Sequence, residues 1–494
     1  MSFRQAYRWL PALIVVTLSG CAAVGPDYVT PTLSAKDVPA RWTSPTDTAA
    51  EHGPGALAHV HPARWWSDLS DPALDRLVGE ALAGSPTVEA ATAKLRQVRA
   101  AYVQTAAAAS PSVDGGAGAT QAVGDAGGQR YSESWLSMNS AWEIDLFGAV
   151  RRGKEGALAR EAAQLASLAD TQVSLAADVA DAYLGYRACQ SHVALSEQDV
   201  ASREATAQLT AASVETGFTA PYQGIRSAAS VAEAKTQLAA TRSQCGRLEN
   251  LLTRLTGVAR PALMAILAEK PTGLDRLPVP RHFDIAIPGD ALVRRPDIRA
   301  AERRLAAASA DIGLAEADRY PRLALNGSLG YSVTGGGSSG GLSFGTWSFG
   351  PSLSLPIFDG GRRAAAVEQA RSRYDEALAE FRLRARAAIQ EVEDALTRYA
   401  AAHERAENAR VSAAQYQSYF DAVEIRYREG ASNLLELEDA RRAMLGAQQT
   451  LLAVQQERLQ AWVALHRSTG GAAAHDPPAA ASPGPVAARE AQAN

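Results

Sequence analysis

The chain has 494 residues, 53 of them Asp or Glu and 49 Lys or Arg, for a formal charge of -4. So mild an acidic balance argues against a nucleic-acid partner. Three cysteines and eight histidines supply neither a disulfide scaffold nor a zinc cluster, and no metal or cofactor is called for.

Residues 1–20 read as a signal peptide. Arg4 and Arg8 precede a short apolar run, Leu10 to Leu18, well under the ~20 residues a membrane helix needs. Leu18-Ser19-Gly20-Cys21 resembles the bacterial lipobox, which makes Cys21 the predicted lipidation site and the mature first residue. Ala22 after it resembles lipoproteins sent to the outer membrane. Loss of Arg4 and Arg8 leaves the mature chain near -6. His52, His59 and His61 fall in a Pro/Gly-rich stretch and read as a solvated loop. No later run approaches a membrane helix, so any bilayer crossing must use strands.

Most of the remainder is written twice. Pro86 and Pro111 recur as Pro296 and Pro321, an offset of 210. Tyr186, Gly217 and Thr256-Gly257 recur as Tyr399, Gly430 and Thr469-Gly470, an offset of 213. Each copy (86–257 and 296–470) has the same order: an Ala-rich helical stretch, a proline, strand periodicity, a very long helix, a glycine-marked turn and a returning helix.

Within each copy the strands precede the long helix. "FGTWSFGPSLSLPIF" puts Trp347, Phe349, Leu353, Leu355 and Ile357 on one face, with Thr346, Ser348, Ser352 and Ser354 on the other. Leu323, Leu325, Leu329, Tyr331 and Val333 alternate in the same way, as do Leu136, Met138, Trp142, Ile144 and Leu146. The segment from Ser112 to Gln121 is a weaker, Gly/Ala-rich fourth strand, and Gly335–Gly341 reads as an exposed hairpin loop. Roughly ten alternating residues per strand is the transmembrane barrel signature. Four strands cannot close a barrel, and an open edge is not viable in lipid, so several chains must share one. Two chains would give eight strands and a filled interior; three would give twelve and room for a lumen.

The long helix of the second copy carries an unbroken seam. Steps of four and three from Tyr374 meet Leu378, Phe381, Ala385, Ala388, Val392, Ala395, Tyr399, Ala402, Ala406, Ala409, Ala413, Tyr416, Phe420, Val423 and Tyr427. At ~1.5 Å per residue a helix from Gly361 to Arg428 is ~100 Å long. The same seam in the first copy includes Leu175, Val179, Ala182, Tyr186 and Cys189 and lapses at Gln172, Ser196, Arg203 and Thr210.

The lipobox followed by "VGPDYVTP", then "AWEIDLFG", "LPIFDGG", the tandem repeat and the glycines at the helix turns resemble the OprM/NodT branch of the TolC-type outer-membrane efflux proteins. The resemblance implies a mixed α and β homotrimer: a shared 12-stranded β-barrel continued by an α-helical coiled-coil tube. It implies a lipid-anchored, non-enzymatic exit duct in the outer membrane that reaches into the periplasm. The implied partners are a periplasmic adaptor and an inner-membrane resistance-nodulation-division transporter. Residues 21–85 and 258–295 become a strap and belt around the tube's middle, and 471–494 a disordered tail. The alternatives are a metal-ion or protein export duct of the same fold, and a structural trimeric coiled coil at the cell surface. The absence of Met- or His-rich tracts disfavours metal.

On this reading the turns at Gly217-Phe218 and Gly430-Ala431 dock the adaptor and carry the gate. Closing the tube calls for polar links between hairpins, for which Tyr427, Arg428, Glu429, Glu436 and Asp439, with Glu215 and Arg226, are the candidates. The family often places an aspartate where this chain has Ser432. Cys189 and Cys245 each lie 28 residues from Gly217, so an antiparallel hairpin sets them level, and an oxidising periplasm predicts a disulfide between them.

Overall fold

The computed structural model describes residues 23–34, 37–44, 62–123, 130–269, 288–336 and 339–471. The signal segment, Cys21, the clustered histidines, residues 270–287 of the connector and the tail from 472 lie outside them.

After a 3-10 turn at Pro62–Leu69 come helices α1 (Pro72–Gly84) and α2 (Pro86–Ala107), strands β1 (Ser112–Val123) and β2 (Arg130–Ile144), then α3 (Ala149–Glu215) and α4 (Pro221–Thr256). Helices α5 (Arg260–Ala268) and α6 (Pro288–Arg294) connect to the second copy: α7 (Pro296–Ala317), β3 (Arg322–Gly336), β4 (Ser339–Ser354), α8 (Arg362–Arg428) and α9 (Leu434–Ser468). Both long helices have 67 residues. Among the described residues no single helix is long and apolar enough to cross a membrane.

The strands form one antiparallel sheet in the order β1-β2-β3-β4, so the β2–β3 ladder joins the two repeats and β1 and β4 are its edges. Register fixes the faces. Ile144, Leu323 and Leu353 lie in line across three strands, as do Met138, Leu329 and Trp347. This apolar face stands open, with Trp347 77% exposed. Gly335 and Gly336 belong to β3, paired with Ser132 and Tyr131, and Ser339–Gly341 to β4, which corrects the loop expected at 335–341. Glycine lacks a Cβ but donates and accepts in a ladder as any residue does, so the strands run on through it. Trp135 falls on the polar face, in line with Ser332 and Phe344. Its ring covers Gly118, where a Cβ would lie 2.5 Å from the indole Nε1.

The chain divides into two compact units: residues 1–34, 91–167 and 297–384, and residues 35–90, 168–296 and 385–494. In the first, the extended segment 23–34 is tied down along helices. The Val24 amide donates to the Phe147 carbonyl at 3.0 Å. Arg152, almost wholly buried, donates to the carbonyls of Val24 and Gly25 and pairs with Asp27 (2.8 Å) and Glu155 (2.9 Å). Gly25 has φ of 90° and sits so close to Gly313 that a Cβ would come within 2.3 Å of its Cα, so only glycine fits. Tyr28 donates to Glu302 at 2.6 Å.

The second unit holds the main core. Trp65, Leu69, Leu74 and Leu77 pack with Tyr183 and Leu184 of α3, Leu252 of α4, Leu263 of α5 and Trp462 of α9. His466 stacks on Trp65 at 4.9 Å and meets Trp462 edge-on. Burial pushes its imidazole down to about 3, so it stays neutral at any envelope pH. Asp71 caps α1 through the Ala73 amide (3.0 Å) and accepts from the Tyr183 hydroxyl. Residues 43–44 are anchored on Glu393, which takes the Thr43 and Ser44 amides at 2.7 and 2.9 Å.

The seam of α8 is buried at Phe381, Ala385, Ala388, Val392, Ala395, Ala402, Phe420 and Val423, with Tyr416 as an exposed exception. Alanine in its middle lets a neighbouring helix approach closely, as dispersion favours. On α3 and α4 the Cys189 and Cys245 sulfurs are bonded, with Cα atoms 5.6 Å apart.

Candidate functional site

The two hairpin turns share one construction. Gly217 and Gly430 take positive φ (78° and 76°) after the long helices. Phe218 N–H closes on Ser213 O at 2.9 Å and Ala431 N–H on Arg426 O at 2.8 Å, which satisfies carbonyls that the helix ends leave open. Pro221 then starts α4, and Asn433 caps α9 by accepting from the Glu436 amide at 2.9 Å. The turn at 217 presents apolar surface, with Phe218 89% exposed and Tyr222 and Ile225 also open. The turn at 430 is charged.

One polar tie joins the two hairpins just behind these turns, and a second set closes the turn of the second hairpin on itself. The Tyr427 hydroxyl lies 2.9 Å from Thr210 Oγ1. Thr210 spends its own hydrogen on the Thr206 carbonyl at 2.8 Å, so Tyr427 is the donor across the hairpins. Arg426 pairs with Glu436 at 3.0 Å and donates to the Ala431 carbonyl, and Ser432 donates to the same Glu436 at 2.6 Å.

The other candidates are placed differently. Arg428 pairs with Glu424 one turn back on its own helix (3.1 Å), and Asp439 with Arg442 on α9. Neither bond crosses between helices. Glu215, Arg226 and Glu429 stand exposed at the turns, as do Gly217, Gly430 and Ala431. Arg426 and Thr210, which make these bonds, are not among the residues singled out from the sequence. Their signal was present: Thr210 is a lapse in the first seam, and Arg426 neighbours the seam residue Tyr427.

A second tie lies deeper. Arg441 of α9 has no exposed surface. It pairs with Glu438, donates to Ser202 (3.1 Å) and Thr206 (2.8 Å) of α3, and lies 5.5 Å over the Phe420 ring. Arg203 of α3 joins Asp199 (3.0 Å) and Glu438 (3.6 Å), and Ser230 of α4 donates to Glu438 at 3.2 Å. Two cations and two anions thus balance inside a junction of four helices. Phe420, Val423, Leu437, Ala440 and Met444 form the apolar cluster beside it. Among the described residues no group of His, Cys, Asp or Glu could hold a metal.

Each repeat thus supplies two strands of an open-edged sheet with an apolar face and a hairpin built on a 67-residue helix. The sequence model for the outer membrane efflux protein family matches residues 77–258 and 287–471, one stretch for each repeat. The chain belongs to the outer membrane efflux protein family. It is 33% identical over 479 residues to the probable efflux pump outer membrane protein TtgC of Pseudomonas putida, covering 93% of this chain and 94% of that one. Nodulation protein T of Rhizobium leguminosarum is 33% identical over 497 residues, 98% of this chain and 96% of that one. Among solved structures, the outer-membrane channel OprN superposes with a TM-score of 0.79 at 32% identity, over 91% of this chain and 99% of that one. The Campylobacter jejuni CmeC channel shares the fold, with a TM-score of 0.79 at 20% identity, over 91% of this chain and 95% of that one.

Proposed function

We propose that this outer membrane efflux protein is the exit duct of a tripartite pump, gated at its helical tips and free of catalytic work of its own. Small organic molecules are the cargo, in keeping with relatives named for toluene and antibiotic efflux. The observation that carries the reading is the sheet: four strands, apolar on one face, with β1 and β4 unpaired as its edges. A lone chain of this kind is not viable in lipid, and three copies make a twelve-stranded barrel wide enough for water. The protein sits in the outer membrane, with a lipid on Cys21 as a second hold, and its helices extend into the periplasm. A periplasmic adaptor docks on the turns at Gly217-Phe218 and Gly430-Ala431. The exposed Phe218, Tyr222 and Ile225 suit an apolar partner surface. An inner-membrane transporter of the resistance-nodulation-division type supplies the energy.

Two measurements test this. The native mass of the detergent-extracted assembly is expected to be three times that of the mature chain; a monomer or dimer would overturn the shared barrel. In planar bilayers, Tyr427→Phe, which removes the tie between the hairpins, is expected to raise the open probability, and adding Arg426→Ala, which loosens the second turn, is expected to raise it a little further. The tie between the hairpins contributes ~1 kcal/mol, so its loss shifts the balance roughly fivefold per chain; the exposed Arg426–Glu436 pair contributes less. Arg428→Ala, whose bond stays on its own helix, is expected to change conductance little. Unchanged conductance in the double variant would remove these ties from the gate.

A further inference from the structure

Three helices of the second unit leave a cavity of about 700 Å³ between α3, α4 and the middle of α9. It lies beyond the buried charge junction, away from the turns. Its walls are amide-rich, with Gln237 and Gln244 on α4 and Gln449, Gln456 and Gln460 on α9. Its apolar lining comes from Leu248, Leu251, Ala182 and Cys189. No lysine or arginine lines it, whereas two carboxylates do, Asp178 and Asp181.

The carboxylates differ. Asp178 pairs with Arg467 at 3.1 Å. Asp181 has a buried Oδ1 with no hydrogen-bond partner among the described residues. Burial first, and the Asp178 charge second, push its carboxyl up to about 6, with Arg467 opposing. α4 brings no charged group to the cavity, and the cavity's remaining titratable group, His192 on α3, is pushed below the usual imidazole range by burial. A buried carboxylate lacking donors is costly unless something supplies them.

Metal does not fit. Asp181 and His192 are eleven residues apart on one helix, ~16 Å, so they cannot share an ion. A volume of several hundred cubic ångströms with apolar side chains in its lining and one unsatisfied anion suits an organic ligand. We propose that the cavity takes a small organic cation with an apolar body, its charge against Asp181 and its body on Leu248 and Leu251.

The cavity's orientation gives the site a role, and this step rests on the duct reading. Asp181 and Gly185 each stand ~160° around α3 from Tyr183, which packs in the Trp65 layer and bonds Asp71. If that layer is the belt outside the tube, the cavity opens on the lumen. Cargo in transit then meets a shallow site that favours cations, weak enough to release onward.

The test uses ethidium, a permanently charged apolar cation, and fluorescence anisotropy of the full-length protein in non-ionic detergent. Wild type is expected to bind it saturably. Asp181→Asn should weaken binding roughly tenfold, the scale of one partly buried charge pair. Ala453→Trp should abolish it by filling the cavity from α9 without touching a charge, and Asp178→Asn should weaken it less than Asp181→Asn. Because ethidium does not titrate, affinity should also fall between pH 7.5 and 5 as Asp181 takes a proton. Asp181→Asn binding as tightly as wild type, or Ala453→Trp still binding, would overturn the proposal. Bilayer conductance of the same preparation separates the two readings. A conducting wild type without saturable binding sinks the site alone; a wild type that binds but never conducts sinks the duct.

Discussion

Glu438→Ala and Arg441→Ala are each expected to destabilise the helical unit by about 3–5 kcal/mol, the usual cost of stripping one partner from a buried ion pair. Glu438→Ala should be the worse. It leaves Arg441, with no exposed surface, facing only Ser202, Thr206 and the Phe420 ring, and it removes an anion from Arg203 as well. Arg441→Ala leaves Glu438 with Arg203 at 3.6 Å and Ser230 at 3.2 Å. The double variant should cost clearly less than the two singles added, because each single carries the penalty of the orphan it creates. Thermal unfolding followed by helical circular dichroism measures this. Strict additivity would mean that the two side chains do not act as a pair, and a cost near zero would mean that the junction is solvated.

The second large effect belongs to the disulfide. Cys189 and Cys245 are 56 residues apart in sequence, and closing such a loop stabilises by about 4 kcal/mol in the chain-entropy account. Cys189→Ala with Cys245→Ala should lower the unfolding midpoint by several degrees while leaving the second hairpin's own packing intact, since that hairpin has Ala402 and Arg458 at the matching positions. Both cysteines are buried, so reductant should act slowly on the folded protein and fast on the unfolded one. Two freely alkylatable thiols in protein taken from the envelope would show that the bond does not form there.

The long elements were legible because their signals are redundant. Fifteen or more consecutive seam positions in α8 say the same thing, and the duplication lets the weaker first copy be read from the second. Single contacts were legible only where one-dimensional spacing fixes three-dimensional level, as with two cysteines equidistant from a turn. The charged turn shows the limit. Arg426 and Arg428 are two residues apart, ~200° around a helix, and sequence alone does not say which one faces Glu436. Trp135 escaped for a related reason. Alternation assigned its neighbours Leu136 and Met138 to the apolar face, and the space that admits a ring on the polar face comes from Gly116 and Gly118 on another strand. The most useful hints were the seam's failures. Arg203 lies in the charge junction, Thr210 takes the Tyr427 hydroxyl and Ser196 lines the cavity. Where a heptad pattern is otherwise well kept, a polar lapse marks a place where the helix answers to a second neighbour.

The strap has a consequence for depth. Val24 is hydrogen-bonded to Phe147, three residues beyond the last residue of β2. Val24 is three positions on from Cys21, a reach of ~10 Å at full extension. On the proposed lipidation, a lipid carried by Cys21 would be held close to the level at which the strands give way to helix, with little slack. Such an anchor would work as a gauge: acyl chains and barrel wall would mark the same boundary of the bilayer, so a chain seated too high or too low would strain one hold while satisfying the other. Inserting a flexible spacer between residues 21 and 23 would uncouple the two marks while leaving both in place.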